Sequence, residues 1–166
     1  EPVGITRKEK IAVIGAGPSG LTCARDLALR GYGVTVFEEL PTAGGMLSWG
    51  IPSYRLPRNI LEGEIDDIRK LGVDIRYNTR VGRDIPFEKV NAEFDYIYMA
   101  PGAHKSQRMG CEGEDIKGVW GGVEFLRDYN FNEAAWNKGE KTLGTRVAVV
   151  GGGNSAIDAA RVARRL

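Results

Sequence analysis

Short apolar runs alternate with amphipathic stretches in the amino-terminal part of the chain. Residues 11–14 form a β-branched run that enters a glycine-rich turn, and apolar residues then recur at helical spacing over 18–29. A second apolar run covers 34–37. The order strand, glycine turn, helix, strand predicts a βαβ unit, which requires a parallel strand pair and a right-handed crossover.

The same patterns predict further elements. A long segment at 41–57 has no period, but it is too apolar for a disordered loop and is therefore expected to be functional. Beyond it, periodicity predicts a helix at 58–71, strands at 73–77 and 94–100, and a helix at 119–129.

The opening pattern recurs at the end of the sequence. It predicts a strand at 146–150, a glycine turn at 151–156 and a helix at 157–166. The two glycine turns lie too far apart for a solenoid repeat. The chain is therefore predicted to be an α/β protein, in which a Rossmann-like fold with a parallel sheet and βαβ units is followed by the first βα unit of a second nucleotide-binding fold.

Composition narrows the function classes. The net charge is +1, with 23 basic against 22 acidic residues, which argues against nucleic acid or a membrane surface as a partner. Glycine contributes 23 of 166 residues, an excess that indicates close approach of backbone to a ligand or to other elements. The first nine residues resemble a linker, and we expect the chain to be a fragment of a larger protein.

The two cysteines, Cys23 and Cys111, are far apart in sequence. This spacing excludes a disulfide framework, a CxxC redox pair and a cysteine-ligated metal site in this chain, so no metal residue is predicted. Unpaired thiols are typical of a reducing compartment, and we expect the protein to be cytoplasmic.

The first glycine turn has the spacing GxGxxG at Gly15, Gly17 and Gly20. In this pattern the first glycine makes the turn, the second lets backbone approach a pyrophosphate, and the third lets the helix pack against the strand. Glu38 follows at the end of the second strand, where a carboxylate accepts both hydroxyls of an adenosine ribose. The alternative is a turn used only for packing, with Glu38 a solvated strand end.

The second turn has Gly151, Gly153 and Ala156 at the equivalent positions. The acid or arginine that discriminates NADH from NADPH would lie beyond residue 166, so neither nucleotide is excluded. Arg161, Arg164 and Arg165 are late on the predicted helix and fit a solvated last turn better than a phosphate site.

Several strings occur in one order along nearly the whole chain: GAGPSG, GGMLSWGIPSYRLP, GEIDDIRKLGVDI, YIYMAPGAHKS and GGGNSAIDAARVARRL. The sequence resembles the small subunit of NADPH-dependent glutamate synthase and its relatives, which include the flavin portion of dihydropyrimidine dehydrogenase and flavin subunits of electron-bifurcating transhydrogenases. The GGMLSWGIPSYRLP string is the most specific part of the resemblance.

The resemblance implies FAD in the first fold and NADPH in the second. Hydride would pass between nicotinamide and flavin, and electrons would continue to iron–sulfur clusters in a partner domain or subunit. A large catalytic subunit, such as the α subunit of glutamate synthase, is a further implied partner. The implied cofactor-binding residues are Gly15, Ala16, Gly17, Pro18, Ser19, Gly20, Glu38, Gly45, Met46, Leu47, Arg55, Val81, Gly102, Gly152, Gly153, Asn154 and Ser155.

The corresponding domains are a linker at 1–9, the amino-terminal part of an FAD-binding domain at 10–104, a connection at 105–145 and the start of an NAD(P)H-binding domain at 146–166. The family commonly has alanine-threonine-glycine where this chain has Ala100-Pro101-Gly102, and proline removes one amide donor there.

Three function classes follow from these residues: the flavin core of an NAD(P)H-linked electron-transfer enzyme, a disulfide-reductase-like flavoprotein without the redox cysteines, and a noncatalytic dinucleotide-binding module. His104 is a candidate base, but hydride transfer to flavin needs none, so no catalytic residue is predicted. Trp49 and Tyr54 are candidates either for stacking near the isoalloxazine or for covering a sheet edge.

Overall fold

The computed structural model describes residues 4–166, so residues 1–3 of the predicted linker lie outside the described residues. The helices and strands in chain order are β1 (Lys10–Ile14), α1 (Pro18–Leu29), β2 (Gly33–Phe37), α2 (Met46–Trp49), α3 (Arg58–Lys70), β3 (Asp74–Arg76), α4 (Phe87–Glu93), β4 (Tyr96–Met99), α5 (Gly122–Phe131), α6 (Glu133–Asn137) and α7 (Asn154–Ala163).

The chain divides into two compact units. Unit 1 contains the residues up to Ser48 together with Pro57–Gly102, and unit 2 contains Trp49–Leu56 together with Ala103–Leu166. The functional ranges 10–104, 105–145 and 146–166 given above remain predictions.

A four-stranded parallel sheet forms the centre of unit 1, in the order β3-β2-β1-β4. This is the strand order of a dinucleotide-binding half, so the predicted fold class is confirmed. Strand β1 lies between two neighbours and is almost entirely apolar, as expected of a parallel strand covered on both faces.

Helices cover both faces of this sheet. A side chain added at Gly20 of α1 would meet Val13, so α1 lies over the face to which Val13 points. Ala12 instead packs with Phe37 of β2 and Val90 of α4. Because successive strand residues point to opposite faces, α1 and α4 lie on opposite sides of the sheet.

Unit 2 is built from helices. Helices α5, α6 and α7 share one apolar core, to which Tyr54 of the 49–56 segment adds its ring; the buried members are Phe125, Leu126, Tyr129, Trp136, Ala159 and Val162. Helix α5 starts three residues later than predicted. Helices α2, α4 and α6 were not predicted from the sequence, because each is seven residues or shorter and shows too little of a helical period.

The predicted strand at 146–150 is wrong. Residues 146–150 form no ladder, and every strand of the described residues belongs to the sheet of unit 1. Val147 and Val149 are exposed and line an open concavity of about 650 Å³ beside α7. A strand forms only where a neighbouring strand can hydrogen-bond to its backbone. The described residues of unit 2 contain no strand that could pair with residues 146–150.

We expect Val90→Ala to lower the free energy of unfolding by about 2 kcal/mol, because it removes two methyl groups from a fully buried position between α4 and the sheet. Urea unfolding followed by circular dichroism measures this change. Val147→Ala, at an exposed position, is the control and should change stability by less than about 0.5 kcal/mol. Equal effects of the two substitutions would contradict the assigned core.

Candidate functional site

The first glycine turn brings α1 as close to the sheet as backbone allows. Gly15 has a φ of 102°, and a Cβ there would lie 2.2 Å from the carbonyl oxygen of Ala100. A Cβ at Gly20 would lie 1.9 Å from the carbonyl oxygen of Gly15. Neither backbone oxygen can move without disturbing a strand end, so both positions require glycine.

Gly17 differs from the other two glycines of the turn. Its φ of −77° is open to any residue, and the nearest atom to an added Cβ is the Cα of Gly45, at an ordinary contact distance of 3.9 Å. The protein therefore does not require glycine here. The space in front of Gly17 remains open for close approach by a ligand.

The amino end of α1 has no side-chain cap. Gly17 is the N-cap residue, Pro18 begins the helix, and no acidic side chain lies in the first turn. The first backbone N–H groups of the helix thus lack a side-chain acceptor, and with the helix dipole they favour an anion at this end.

Glu38 is buried at the end of β2, with 5% of its surface exposed. Its Oε2 accepts a hydrogen bond from the backbone N–H of Ala16 at 2.7 Å, and its Oε1 accepts one from Leu40 at 2.9 Å. The carboxylate therefore fixes the glycine turn to the end of β2. Each oxygen has a second lone pair, so this arrangement leaves Glu38 able to accept from a ribose as well.

The backbone at Gly44 and Gly45 packs on the first glycine turn. The predicted site residues Met46 and Leu47 follow it directly. Gly44 donates its N–H to the carbonyl oxygen of Ala16 at 2.8 Å. Gly45 has a φ of 53°, and a Cβ there would lie 2.8 Å from the Cα of Gly17. Contact with the first glycine turn thus explains glycine at Gly45. At Gly44 the φ of 106° and the Leu61 side chain, 3.0 Å from an added Cβ, favour glycine instead.

Four other predicted site residues of unit 1 have different surroundings. Met46 is exposed, whereas Leu47 is half-buried and accepts a hydrogen bond at its carbonyl oxygen from Arg58 at 2.9 Å. Val81 packs on the apolar cluster around Phe37. Gly102 is exposed beyond the end of β4, with a φ of 70°.

The second glycine turn lies in unit 2 and is open. Gly152 and Gly153 have no atom within 4 Å of an added Cβ, and Asn154 and Ser155 are exposed at the start of α7. Gly153 is the N-cap of α7 and carries no side-chain cap, as at α1. Both helices that begin at a glycine turn therefore present uncapped amides.

Arg55, predicted to contact a flavin, forms an ion pair in unit 2. Its Nη1 donates to Oδ2 of Asp158 at 2.6 Å, and the Asp158 side chain is only 4% exposed. The Tyr54 ring lies beside the same helix, with the guanidinium carbons of Arg161 and Arg165 at 4.8 and 3.9 Å from its centre. Two of the arginines expected in a solvated last turn thus contact an aromatic ring.

Trp49 and His104 come together in unit 2. Their rings stack at 5.1 Å, and the guanidinium of Arg127 lies 4.3 Å from the centre of the indole. Arg127 also donates to the carbonyl oxygen of His104, and its Nη2 lies 3.3 Å from the imidazole Nδ1. Since guanidinium has no acceptor, Nδ1 must accept this hydrogen bond.

Three residues with specific contacts were not predicted from the sequence: Asp158, Arg127 and Gly44. The sequence pattern could have indicated Asp158. It lies four residues before Val162, and this spacing places it on the buried face of α7. No sequence pattern marks Arg127, since one arginine on an amphipathic helix is ordinarily solvated.

Residues 4–166 contain neither a metal-binding cluster nor a membrane-spanning helix. No group of three or more histidine, cysteine, aspartate or glutamate side chains is arranged to hold a metal ion. None of the helices in this part of the chain combines the length and apolar character required to cross a bilayer.

Residues 9–166 match the family model described as pyridine nucleotide-disulphide oxidoreductase. The chain is 52% identical to the β subunit of NADP(+)-dependent formate dehydrogenase of Moorella thermoacetica, covering 99% of this chain and 23% of the relative. It is 34% identical to the small chain of NADPH glutamate synthase of Escherichia coli, covering 95% of this chain and 34% of the relative. The predicted resemblance is confirmed, and the chain spans about a quarter to a third of these relatives.

Among solved structures, FprA of Mycobacterium tuberculosis in complex with NADPH superposes with a TM-score of 0.82 at 25% identity. The match covers 94% of this chain and 36% of FprA.

We expect Glu38→Gln to lower the free energy of unfolding by about 1–3 kcal/mol even without any nucleotide, because the amide NH2 would face a buried backbone N–H. Thermal unfolding of nucleotide-free protein measures it. Glu39→Gln is the control, since Glu39 forms a partly exposed ion pair with Arg80 and exposed pairs contribute little to stability. A loss seen only with nucleotide bound would show that Glu38 does not hold the turn.

We expect Gly45→Ala to destabilise the protein more than Gly72→Ala. Both positions have positive φ, which costs about 1–2 kcal/mol for alanine, but only at Gly45 would the methyl group also meet backbone. The difference in denaturant midpoint isolates that contact. Equal midpoints would mean that the Gly44–Gly45 segment is not held against the first glycine turn.

Proposed function

Since the chain belongs to the pyridine nucleotide-disulphide oxidoreductase family, we propose that it is the FAD-binding part of an NADPH-dependent oxidoreductase of the glutamate synthase small-subunit type. The observation that carries this proposal is the first glycine turn. There an uncapped helix end and an open face at Gly17 lie next to the Glu38 carboxylate, which accepts a hydrogen bond from the backbone N–H of Ala16.

The residues of unit 1 fit an FAD molecule. Its pyrophosphate would lie at residues 15–20, its adenosine ribose at Glu38, and its adenine near Val81. Gly45, Met46 and Leu47 would line the flavin side, and Gly102 would approach it from the end of β4. Arg55 is a flavin contact that the family resemblance implies. No acidic residue in the first turn of α1 opposes the two phosphates.

The second turn is proposed to hold the pyrophosphate of NADPH through Gly152, Gly153, Asn154 and Ser155. The uncapped start of α7 supports this assignment. The NADP-dependent names of the relatives favour NADPH over NADH.

Bound FAD would supply the acceptor for a hydride from the nicotinamide, and the chain would supply position and electrostatics. His104 is stacked on Trp49 and hydrogen-bonded to Arg127, which supports a structural role and not that of a base. Electrons would leave through iron–sulfur clusters of a partner domain or large subunit, in the cytoplasm. The described cysteines, Cys23 and Cys111, supply no CxxC pair, which disfavours disulfide reduction.

The test uses one alanine at each glycine turn of the purified full-length protein. Gly17→Ala should leave the melting temperature within about 2 °C, because the methyl group fits, yet weaken FAD binding about tenfold or more by blocking the pyrophosphate. Gly153→Ala should keep FAD and slow its anaerobic reduction by NADPH. Flavin absorbance measures both.

The control is Gly33→Ala in β2, where an added Cβ makes only an ordinary contact at 3.5 Å. It should change neither FAD content nor reduction by NADPH. A full-length protein without a flavin spectrum, or a Gly17→Ala variant that retains FAD as tightly as the parent, would contradict the proposal.

A further inference from the structure

Tyr98 of β4 faces the helix that begins at the first glycine turn. It is paired in register with Val13 of β1, and residues paired in this way on parallel strands point to the same face of a sheet. Val13 points to α1, so Tyr98 does as well. Strand β4 is the last strand of the sheet on this side, and Tyr98 is 41% exposed.

The phenol of Tyr98 reaches the first turn of α1. Its hydroxyl oxygen lies 3.0 Å from Oγ of Ser19, and this hydrogen bond joins two residues that are 79 positions apart in the sequence. Ser19 directly follows Pro18, the first residue of α1, and is exposed. Water can replace the partner of an exposed hydroxyl, so the hydrogen bond adds little to the stability of the fold. Its main effect is to restrict the direction of the Ser19 hydroxyl.

The chemistry of the two hydroxyl groups favours one direction for this hydrogen bond. A phenol is more acidic than an aliphatic alcohol and is therefore the better donor, which favours Tyr98 as the donor and Ser19 as the acceptor. The proton of Ser19 is then directed away from Tyr98 and is available to a further acceptor. A hydroxyl that accepts one hydrogen bond also becomes a stronger donor in the next.

An anion at the start of α1 would be such an acceptor. The N-cap residue Gly17 provides no side-chain cap and the first turn contains no acidic side chain, so the backbone N–H groups and the helix dipole favour negative charge here. A hydrogen bond to a charged oxygen is roughly twice as strong as one between neutral groups. A Ser19 hydroxyl that is already held in one direction would lose less freedom on binding than one that rotates freely.

We propose that Tyr98 is a positioning residue of the flavin-nucleotide site, and that it holds Ser19 so that the Ser19 hydroxyl donates to a pyrophosphate oxygen. The inference rests on the proposed function, in which residues 15–20 hold the pyrophosphate of FAD. Tyr98 acts only through Ser19 and does not itself contact the nucleotide. Both residues belong to unit 1, as does the rest of the first glycine turn.

The experiment is a double-mutant cycle in the full-length protein, with Tyr98→Phe, Ser19→Ala and both together. Ser19→Ala should raise the Kd of the apoprotein for FAD about tenfold and Tyr98→Phe about fivefold, whereas the double variant should be no weaker than Ser19→Ala alone. Quenching of flavin fluorescence on binding gives the Kd. Phosphorus NMR of bound FAD gives a second readout: Tyr98→Phe should move the pyrophosphate resonances in the same direction as Ser19→Ala, which a general loss of stability would not do.

The matched control is Tyr96→Phe, which removes the same atom from the same strand. Tyr96 lies two residues before Tyr98 and therefore on the same face of β4, where it is 64% exposed. It pairs with Ile11, further from the glycine turn, and its substitution should leave the Kd within about twofold. The nucleotide-free variants should keep the melting temperature of the parent within about 2 °C, since each single substitution removes one oxygen atom from an exposed residue.

Additive effects of Tyr98→Phe and Ser19→Ala would mean that Tyr98 does not act through Ser19. A Tyr98→Phe variant that binds FAD like the parent, or a Tyr96→Phe variant that loses as much affinity as Tyr98→Phe, would also overturn the inference. These three results would leave the proposed function intact. A parent protein that binds no FAD would overturn the proposed function and this inference together.

Discussion

The close approach of α1 to the sheet is the constraint on which the site in unit 1 depends. Backbone at Gly20 lies so near the carbonyl oxygen of Gly15 that no side chain fits between them. This contact brings the amino end of the helix to the ends of β1 and β2, within reach of the Glu38 carboxylate. Gly44 and Gly45 complete the arrangement from the following loop, again through backbone contacts. The surface offered to a ligand is therefore mostly main chain, held by side chains that lie behind it.

Local patterns in the sequence were sufficient to predict most of unit 1. The β1–α1–β2 order, the glycine turn and helix α3 follow from short-range periodicity and from turn chemistry, and the structure confirms the parallel sheet. The strand expected at 146–150 has the same local pattern as β1, yet it has no strand beside it. A ladder depends on a partner elsewhere in the chain, which periodicity within one segment does not reveal.

Long-range polar contacts could not be predicted from the sequence either, because the two partners lie far apart along the chain. Arg55 and Asp158 are 103 positions apart, and the amide of Asn130 donates to the carbonyl oxygen of Trp49 from 81 positions away. Each of these side chains has an ordinary solvated alternative when its own helix or loop is considered alone. The resemblance to known flavoproteins singled out Arg55 but not its carboxylate partner, which only the folded structure supplies.

The segment Trp49–Leu56 leaves unit 1 after Ser48 and the chain returns to that unit at Pro57, before passing to unit 2 again after Gly102. Neither unit corresponds to one continuous stretch of sequence. A gene fusion or recombination event that exchanged everything after residue 102 would leave Trp49, Tyr54 and Arg55 facing foreign counterparts for Arg127, Arg161 and Asp158. Such a hybrid would need compensating changes in the eight-residue segment, so the two stretches of unit 2 are expected to be inherited together.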